Sequence, residues 1–340
     1  MLPMSLSIRT ANLETEREVL TEFLRQHLNP QADAKRFDWL YLRNPHGVAR
    51  TWLACEAGSG TIVGASAVFP RRIVAAGKPV SGCVLGDFCI RPDFRSLGPA
   101  LELQRKTLAG LQSAGFELAY DLPSTSMLGV YKRIGIAPQD SLVRLARPLR
   151  ADRQIAKRVK SETVARGLSA AGNLLLELRD WRLKEAAGWT VELHNGKMGE
   201  EFSELANRVS EAGETFVHRS AEFLNWRYSD HPYRKFEILT ARHDGQLRGY
   251  LVFDQIADEA TIADLFGLDE PELWQSLLAR AVALNRERGA GIINAPALAS
   301  HPRAAQLEAL GFSPREAQPL VTIGAAPGTR LFIMDGDRES

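Results

Sequence analysis

Cysteine is scarce in this chain of 340 residues, and the three that occur, Cys55, Cys83 and Cys89, sit in apolar, strand-like stretches. An odd number so placed argues against a disulfide framework and suits reduced thiols packed in a core. There is no CxxC and no HxxxH pair, so the spacings that commonly hold a metal are missing and no metal is expected. No apolar run approaches the roughly 18 residues that span a bilayer. The stretch 1–10 also lacks the apolar core of a secretory signal, so a cytoplasmic location is the expectation. A surplus of one charge is lacking too. The net charge is +1, which leaves no electrostatic footprint for a general nucleic-acid binder.

What is present is ordinary in amount, with 45% apolar and 24% charged residues, and is organised as a repeat. The segment 37–47, with Trp39, Tyr41 and Pro45, resembles 223–233, with Trp226, Tyr228 and Pro232. Each is followed by two strand-like runs joined through a glycine-bearing hairpin, Gly58 and Gly60 in one copy, Asp244 and Gly245 in the other. A strand over 84–90 matches one over 260–267, which aligns Asp87 with Asp264. Helices are predicted over 99–113 and 272–288, then strands over 117–122 and 291–295. A helix in each copy then closes on Gly135 or Gly311. This order predicts an α/β protein, a mixed sheet with helices packed on it. The organisation read from it is a first module over 1–148, a basic helical linker over 149–189 and a second module over 190–340.

The most informative stretch is 85–101. An apolar strand ends in Cys89, Ile90 and Arg91, and a turn carries Arg95, Ser96, Leu97, Gly98, Pro99 and Ala100 into a helix. A glycine there allows close backbone approach, and proline near the helix start costs least. The unpaired N–H groups of such a helix start form a cradle for a pyrophosphate. The pattern Arg-x-x-Gly-x-Ala in this setting resembles the cofactor turn of the GCN5-related N-acetyltransferases, the GNAT superfamily. The repeated element order resembles two modules of that family in tandem. The resemblance implies acetyl-CoA or another acyl-CoA as co-substrate, bound along 89–91 and 95–100, with backbone N–H groups near 89–91 stabilising the oxyanion. The corresponding turn of the second copy, 268–272, has no such glycine step and adds Asp269, Glu270 and Glu272, which would repel a polyphosphate.

Tyr131 lies in a Tyr-x-x-x-Gly ending similar to that of the family, where the tyrosine often protonates the departing thiolate; Leu307 replaces it in the second copy. The general base is read as Asp87, or else as a structural carboxylate because Asp264 recurs in the copy without the cofactor turn. Asp121, at the end of the neighbouring strand, is held in reserve. His46, His218, His231 and His301 read as surface or turn residues, and Asp335 and Asp337, after a last strand, as solvated carboxylates or else as contacts for a cationic acceptor. Between the copies, Ile155, Val159, Leu168, Leu174, Leu175, Leu178 and Trp181 recur at helical spacing beside Arg150, Arg153, Lys157, Arg158, Lys160 and Arg166. That pattern fits a bridging helix with a solvated face, or peripheral contact with an anionic membrane through 150–182.

The resulting expectation is an acyl-CoA-dependent N-acyltransferase acting on a small amine. An amino sugar of cell-surface polysaccharide synthesis is one such acceptor by analogy. Two other readings stand beside it. One is a transferase of the FemABX kind, which pairs two similar modules and draws on aminoacyl-tRNA. The other is a pair of such modules that binds without catalysing.

Overall fold

The computed structural model describes residues 6–95, 97–152, 155, 159, 161–181, 183–211, 213–326 and 328–339. The first half carries β1 (Leu6–Thr10), α1 (Arg17–His27), α2 (Ala34–Phe37), β2 (Arg50–Glu56), β3 (Ile62–Ala75), β4 (Lys78–Ile90), α3 (Leu97–Ser113), β5 (Leu118–Asp121), α4 (Thr125–Arg133) and β6 (Asp140–Pro148). After α5 (Glu162–Asp180) the series recurs. It runs β7 (Trp189–Leu193), α6 (Glu200–Ser210), β8 (Thr215–Val217), α7 (Ala221–Leu224), β9 (Glu237–His243), β10 (Gln246–Ile256), β11 (Glu259–Gly267), α8 (Pro271–Glu287), β12 (Ile292–Leu298), α9 (Pro302–Ala309), β13 (Ser313–Ile323) and β14 (Leu331–Phe332). The expected helix starting at residue 99 begins at Leu97 and the one expected at 272 begins at Pro271, so the periodic elements lie where the sequence puts them.

The halves are not two separate sheets. The main path of one 14-stranded sheet runs β1-β2-β3-β4-β5-β13-β6-β12-β11-β10-β9-β7, with β8 and β14 at its side. The last strands of the repeat have changed places. β13 of the second half pairs with β5 of the first, and β6 of the first half pairs with β12 of the second. The two exchanged strands then pair antiparallel with one another. Each half thereby satisfies an edge that would otherwise stay open.

Equivalent residues also meet at the contact between the halves. Asp33 and Ser220 cap α2 and α7 by accepting from the N–H of Arg36 and Phe223. Each short helix then widens into a π-helical turn, Asp38–Leu42 and Asn225–Ser229, that points a tryptophan sideways. Trp39 and Trp226 stack 4.8 Å apart, and each indole N–H donates to the other's backbone oxygen, at 2.8 and 2.9 Å. His46 stacks on Phe223 and His231 packs on Trp39, so these two are interface residues and not surface ones. Burial and nearby arginines hold His46 down at about 2 and His231 at about 3, so both stay neutral near pH 7. His301 departs from expectation as well: it is 5% exposed, caps α9 and faces Glu214. His218 is partly buried beside Asn207.

The predicted linker helix forms as α5, yet its apolar side chains are not covered. Leu168, Leu174, Leu175, Leu178 and Trp181 are 48–69% exposed. Its C-terminal end is fastened by Asp180, which bridges Arg147 and Arg286. None of the described helices is long and apolar enough to cross a membrane. The three cysteines are buried and free.

Candidate active site

β4 and β5 pair in parallel only from Gly82 to Val84 against Leu118 to Tyr120, and then diverge. Where they part, β4 carries a bulge that sets Asp87 and Phe88 opposite Ser66 alone, between the Ala67–Gly86 and Ala65–Cys89 pairs. The splay opens a cavity of about 860 Å³, lined by Asp87, Cys89, Arg95, Gln104, Asp121 and Glu339 among others. That volume is in the range of pockets for substantial organic ligands.

Asp87 adopts φ +45°, a left-handed conformation that costs a non-glycine residue energy. Its partners explain why it stays there. Both carboxylate oxygens accept from Arg36, at 2.7 and 2.8 Å, and the Tyr41 hydroxyl donates to Oδ2 at 2.7 Å. The same arrangement recurs in the second half. There Asp264 faces Arg219 and accepts from Tyr250, beside a bulge in β11. Of the two roles left open for Asp87, the geometry describes the structural one, because its charge is already matched by a buried guanidinium. Arg36→Met leaves that carboxylate buried and unpaired. The expected cost is about 3–5 kcal/mol of stability, read from the urea midpoint; a change under about 1 kcal/mol contradicts the assigned role.

Asp121 ends β5 with a different environment. The Tyr131 hydroxyl donates to its Oδ2 at 2.7 Å, and Gln104 Nε2 donates to the Tyr131 oxygen at 3.1 Å. Ser124 caps α4, and that helix turns Met127, Val130 and Tyr131 onto Val321 of the exchanged β13. Tyr131 is fully buried. Burial, reinforced by Glu339 and opposed by Tyr131, pushes the Asp121 carboxyl up to about 7. Burial and Asp121 keep the Tyr131 proton on to well above the usual phenol range. The tyrosine hydroxyl is thus placed to position Asp121, and Asp121 is the group that reaches the cavity.

The predicted cradle lies at the mouth of the same cavity. Arg91 spends its backbone N–H on Val63, and its side chain is bound to Asp93 and lies over Phe94. Arg95 Nε donates to the Ile90 oxygen at 3.0 Å and tethers the turn back to β4. Ser96 lies outside the described residues. Leu97 starts α3, and for Gly98 in its first turn no described atom beyond its chain neighbours and its own helix backbone lies within 4 Å of where a Cβ would stand. Pro99 brings no N–H to that turn, and Ala100 lines the cavity. The first-turn N–H groups of a helix have no partner inside it, so an anion is favoured there. The open space, the helix start and Arg95 together fit a pyrophosphate. The Cys89 thiol is buried and pushed up to about 12, which makes it a packed side chain and not a nucleophile.

The corresponding crevice of the second half is filled. β14 lies on β8, Phe332 packs on Phe266, and Met334, Gly336 and Asp337 are buried against β11 and β12. Asp337 is bound to Arg219 at 2.7 Å, so the expectation of a solvated carboxylate there is corrected; Asp335 faces Arg234 and Arg338. Glu270 precedes α8 where the first half has its open turn, and Leu307 occupies the place of Tyr131, with the same pattern of backbone hydrogen bonds around it. The segment then runs on into the first half, where Glu339 reaches the cavity. Arg36, Tyr41, Gln104 and Glu339 were not singled out from sequence. An arginine three residues after the α2 cap was a weak signal for the first, and nothing local marked Glu339.

No family model matches the sequence, and no curated protein matches it. Solved structures do resemble it. A GCN5-related N-acetyltransferase from Anabaena variabilis is 14% identical with a TM-score of 0.66, over 94% of this chain and 72% of that one. A tandem GNAT protein from the clavulanic acid biosynthesis pathway is 16% identical with a TM-score of 0.56, over 95% and 100%. The N-myristoyltransferase of Saccharomyces cerevisiae, solved with bound myristoyl-CoA, is 12% identical with a TM-score of 0.60, over 97% and 85%.

Proposed function

We propose that this chain, which has the fold of the tandem GCN5-related N-acetyltransferases, is an acyl-CoA-dependent N-acyltransferase with a single active site in its first half. The observation that carries the reading is the asymmetry of the two crevices. One is open, with space at the helix start around Gly98 and a titratable Asp121. The other is closed by the segment 331–337 and guarded by carboxylates. In this reading the turn from Arg95 to Ala100 holds the pyrophosphate, and the thioester lies in the splay between β4 and β5. The N–H of Ile90 lies on the strand edge opposite the one that Arg91 uses on Val63, and polarises the carbonyl oxygen.

The amine nitrogen forms a bond to the thioester carbonyl carbon, its proton passes to Asp121, and the carbon–sulfur bond breaks. A carboxyl near 7 is suited to accept that proton at neutral pH. The hydrogen-bonded pair of Asp121 and Tyr131 then returns a proton to the departing sulfur. The amine class includes amino sugars; a glucosamine N-acetyltransferase region of a fungal enzyme is among the similar structures, at 10% identity.

The test is thiol release from acyl-CoAs of increasing chain length in the presence of amines. The expected result is amine-dependent release of free CoA with one preferred chain length. Absence of both acyl-CoA binding and thiol release for every chain length would remove the assignment.

A further inference from the structure

One wall of the first-half cavity is supplied by the second half. The Glu339 side chain lies on Gly86, where a Cβ would fall 2.5 Å from its Cγ, so only glycine leaves room for it. The approach to Glu339 is held on both sides. The Tyr120 hydroxyl donates to the Asp337 oxygen at 2.7 Å, and Asp337 in turn is fixed by Arg219. Arg338 donates to Gln318, which donates to the Leu122 oxygen one residue beyond Asp121. The segment is therefore a built part of the cavity.

Among the described residues, the Glu339 carboxylate has only its own backbone N–H as a hydrogen-bond partner; no hydrogen bond from another described side chain reaches it. The two guanidinium groups that act on it are committed elsewhere, Arg36 to Asp87 and Arg338 to Gln318 and Asp335. Glu339 and Asp121 line one cavity; burial raises both carboxyls, Asp87 opposes the charge of Glu339, and Glu339 opposes that of Asp121. Carboxylates that share a cavity in this way are relieved by a cation among them, and a neutral hydroxyl would leave the repulsion in place.

We infer that Glu339 is the acceptor-binding residue, holding the substrate amine as its ammonium ion between itself and Asp121, so that the second half completes the active site of the first. This rests on the acyltransferase reading and names its acceptor as a cationic amine. The ammonium gives one proton to Asp121, which passes it to solvent; the neutral amine then attacks, its second proton goes through Asp121 to the departing sulfur, and Glu339, held charged by the bound cation, keeps the nitrogen in place.

The experiment compares the full chain with Glu339→Gln and Glu339→Asp. The acceptors are glucosamine, cadaverine and a glycine-leading tripeptide, set against glucose and pentane-1,5-diol. The inference expects transfer to amines only. For Glu339→Gln it expects KM for the amine to rise about 30-fold or more. The dissociation constant for acyl-CoA stays unchanged, the melting temperature does not fall, and Glu339→Asp recovers most of the KM. Glu339 raises the Asp121 carboxyl, so the acid limb of kcat/KM in Glu339→Gln also moves below about 7. An unchanged KM and acid limb in Glu339→Gln overturns the inference. So does a wild type that binds acyl-CoA yet acylates none of the amines, or prefers the hydroxyl compounds. A wild type that binds no acyl-CoA overturns the acyltransferase reading beneath it instead.

Discussion

Gly98→Glu is expected to abolish acyl-CoA binding while leaving the protein folded. The new side chain projects into open space, because beyond its chain neighbours and its own helix backbone no described atom lies within 4 Å of where its Cβ would stand at this exposed position. A carboxylate in the first turn of α3 even favours the helix, by about 0.3–1 kcal/mol at an exposed site. Its charge stands where a pyrophosphate would rest, and it occupies the donors that would hold the phosphates. The dissociation constant is expected to rise about 100-fold or more, equivalent to about 2.8 kcal/mol, with a melting temperature equal to or above that of wild type. Calorimetry and a thermal melt read the two quantities separately. A variant that binds acyl-CoA as tightly as wild type places the cofactor elsewhere.

Asp121→Asn is the second large effect. Loss of a general base typically costs about 10²–10⁴ in rate, and kcat is expected to fall by that order. In wild type the base is charged above about 7 and protonated below it. Activity therefore rises with pH through about 7 and falls roughly tenfold per unit beneath it. The Asn variant loses this limb. Tyr131→Phe keeps the base but removes a hydrogen bond that stabilises the charged carboxylate, so its limb moves above 7. The same shift has a stability sign. A carboxyl raised on folding contributes stability below its unfolded value near 4, and that contribution is lost as pH rises through about 7. Asp121→Asn is thus expected to melt higher than wild type at about pH 8. Equal activity and equal melting in the two proteins would assign Asp121 no role.

Much of this was legible in the chain because its signals are local. The helix after Gly98 and the strand ending at Ile90 follow from periodicity and turn chemistry, and the structure has them within a few residues; the pairing of Tyr131 with Leu307 came from the repeat and the family resemblance. The exchange of β6 and β13 was not legible. Both are last strands of a repeated unit, and nothing in an alternating pattern says which of two similar edges a strand will join. Asp87 illustrates a second limit. An aspartate interrupting an apolar strand fits either a base or a buried ion pair, and only the distance to Arg36, 51 residues earlier, separates them. Asp337 and Glu339 show a third. A short polar segment reads as solvated until Arg219, Tyr120 and Gly86 are found around it. The apolar stripe of α5 was legible as a helix, but whether that stripe is covered depends on packing that a pattern does not encode.

The central claim is that one crevice of the pair serves acyl-CoA and the other is closed. Calorimetric titration of the full chain with an acyl-CoA tests it most directly. The account predicts one site per chain, eliminated by Gly98→Glu. Two sites per chain, or one site that survives Gly98→Glu, would contradict it.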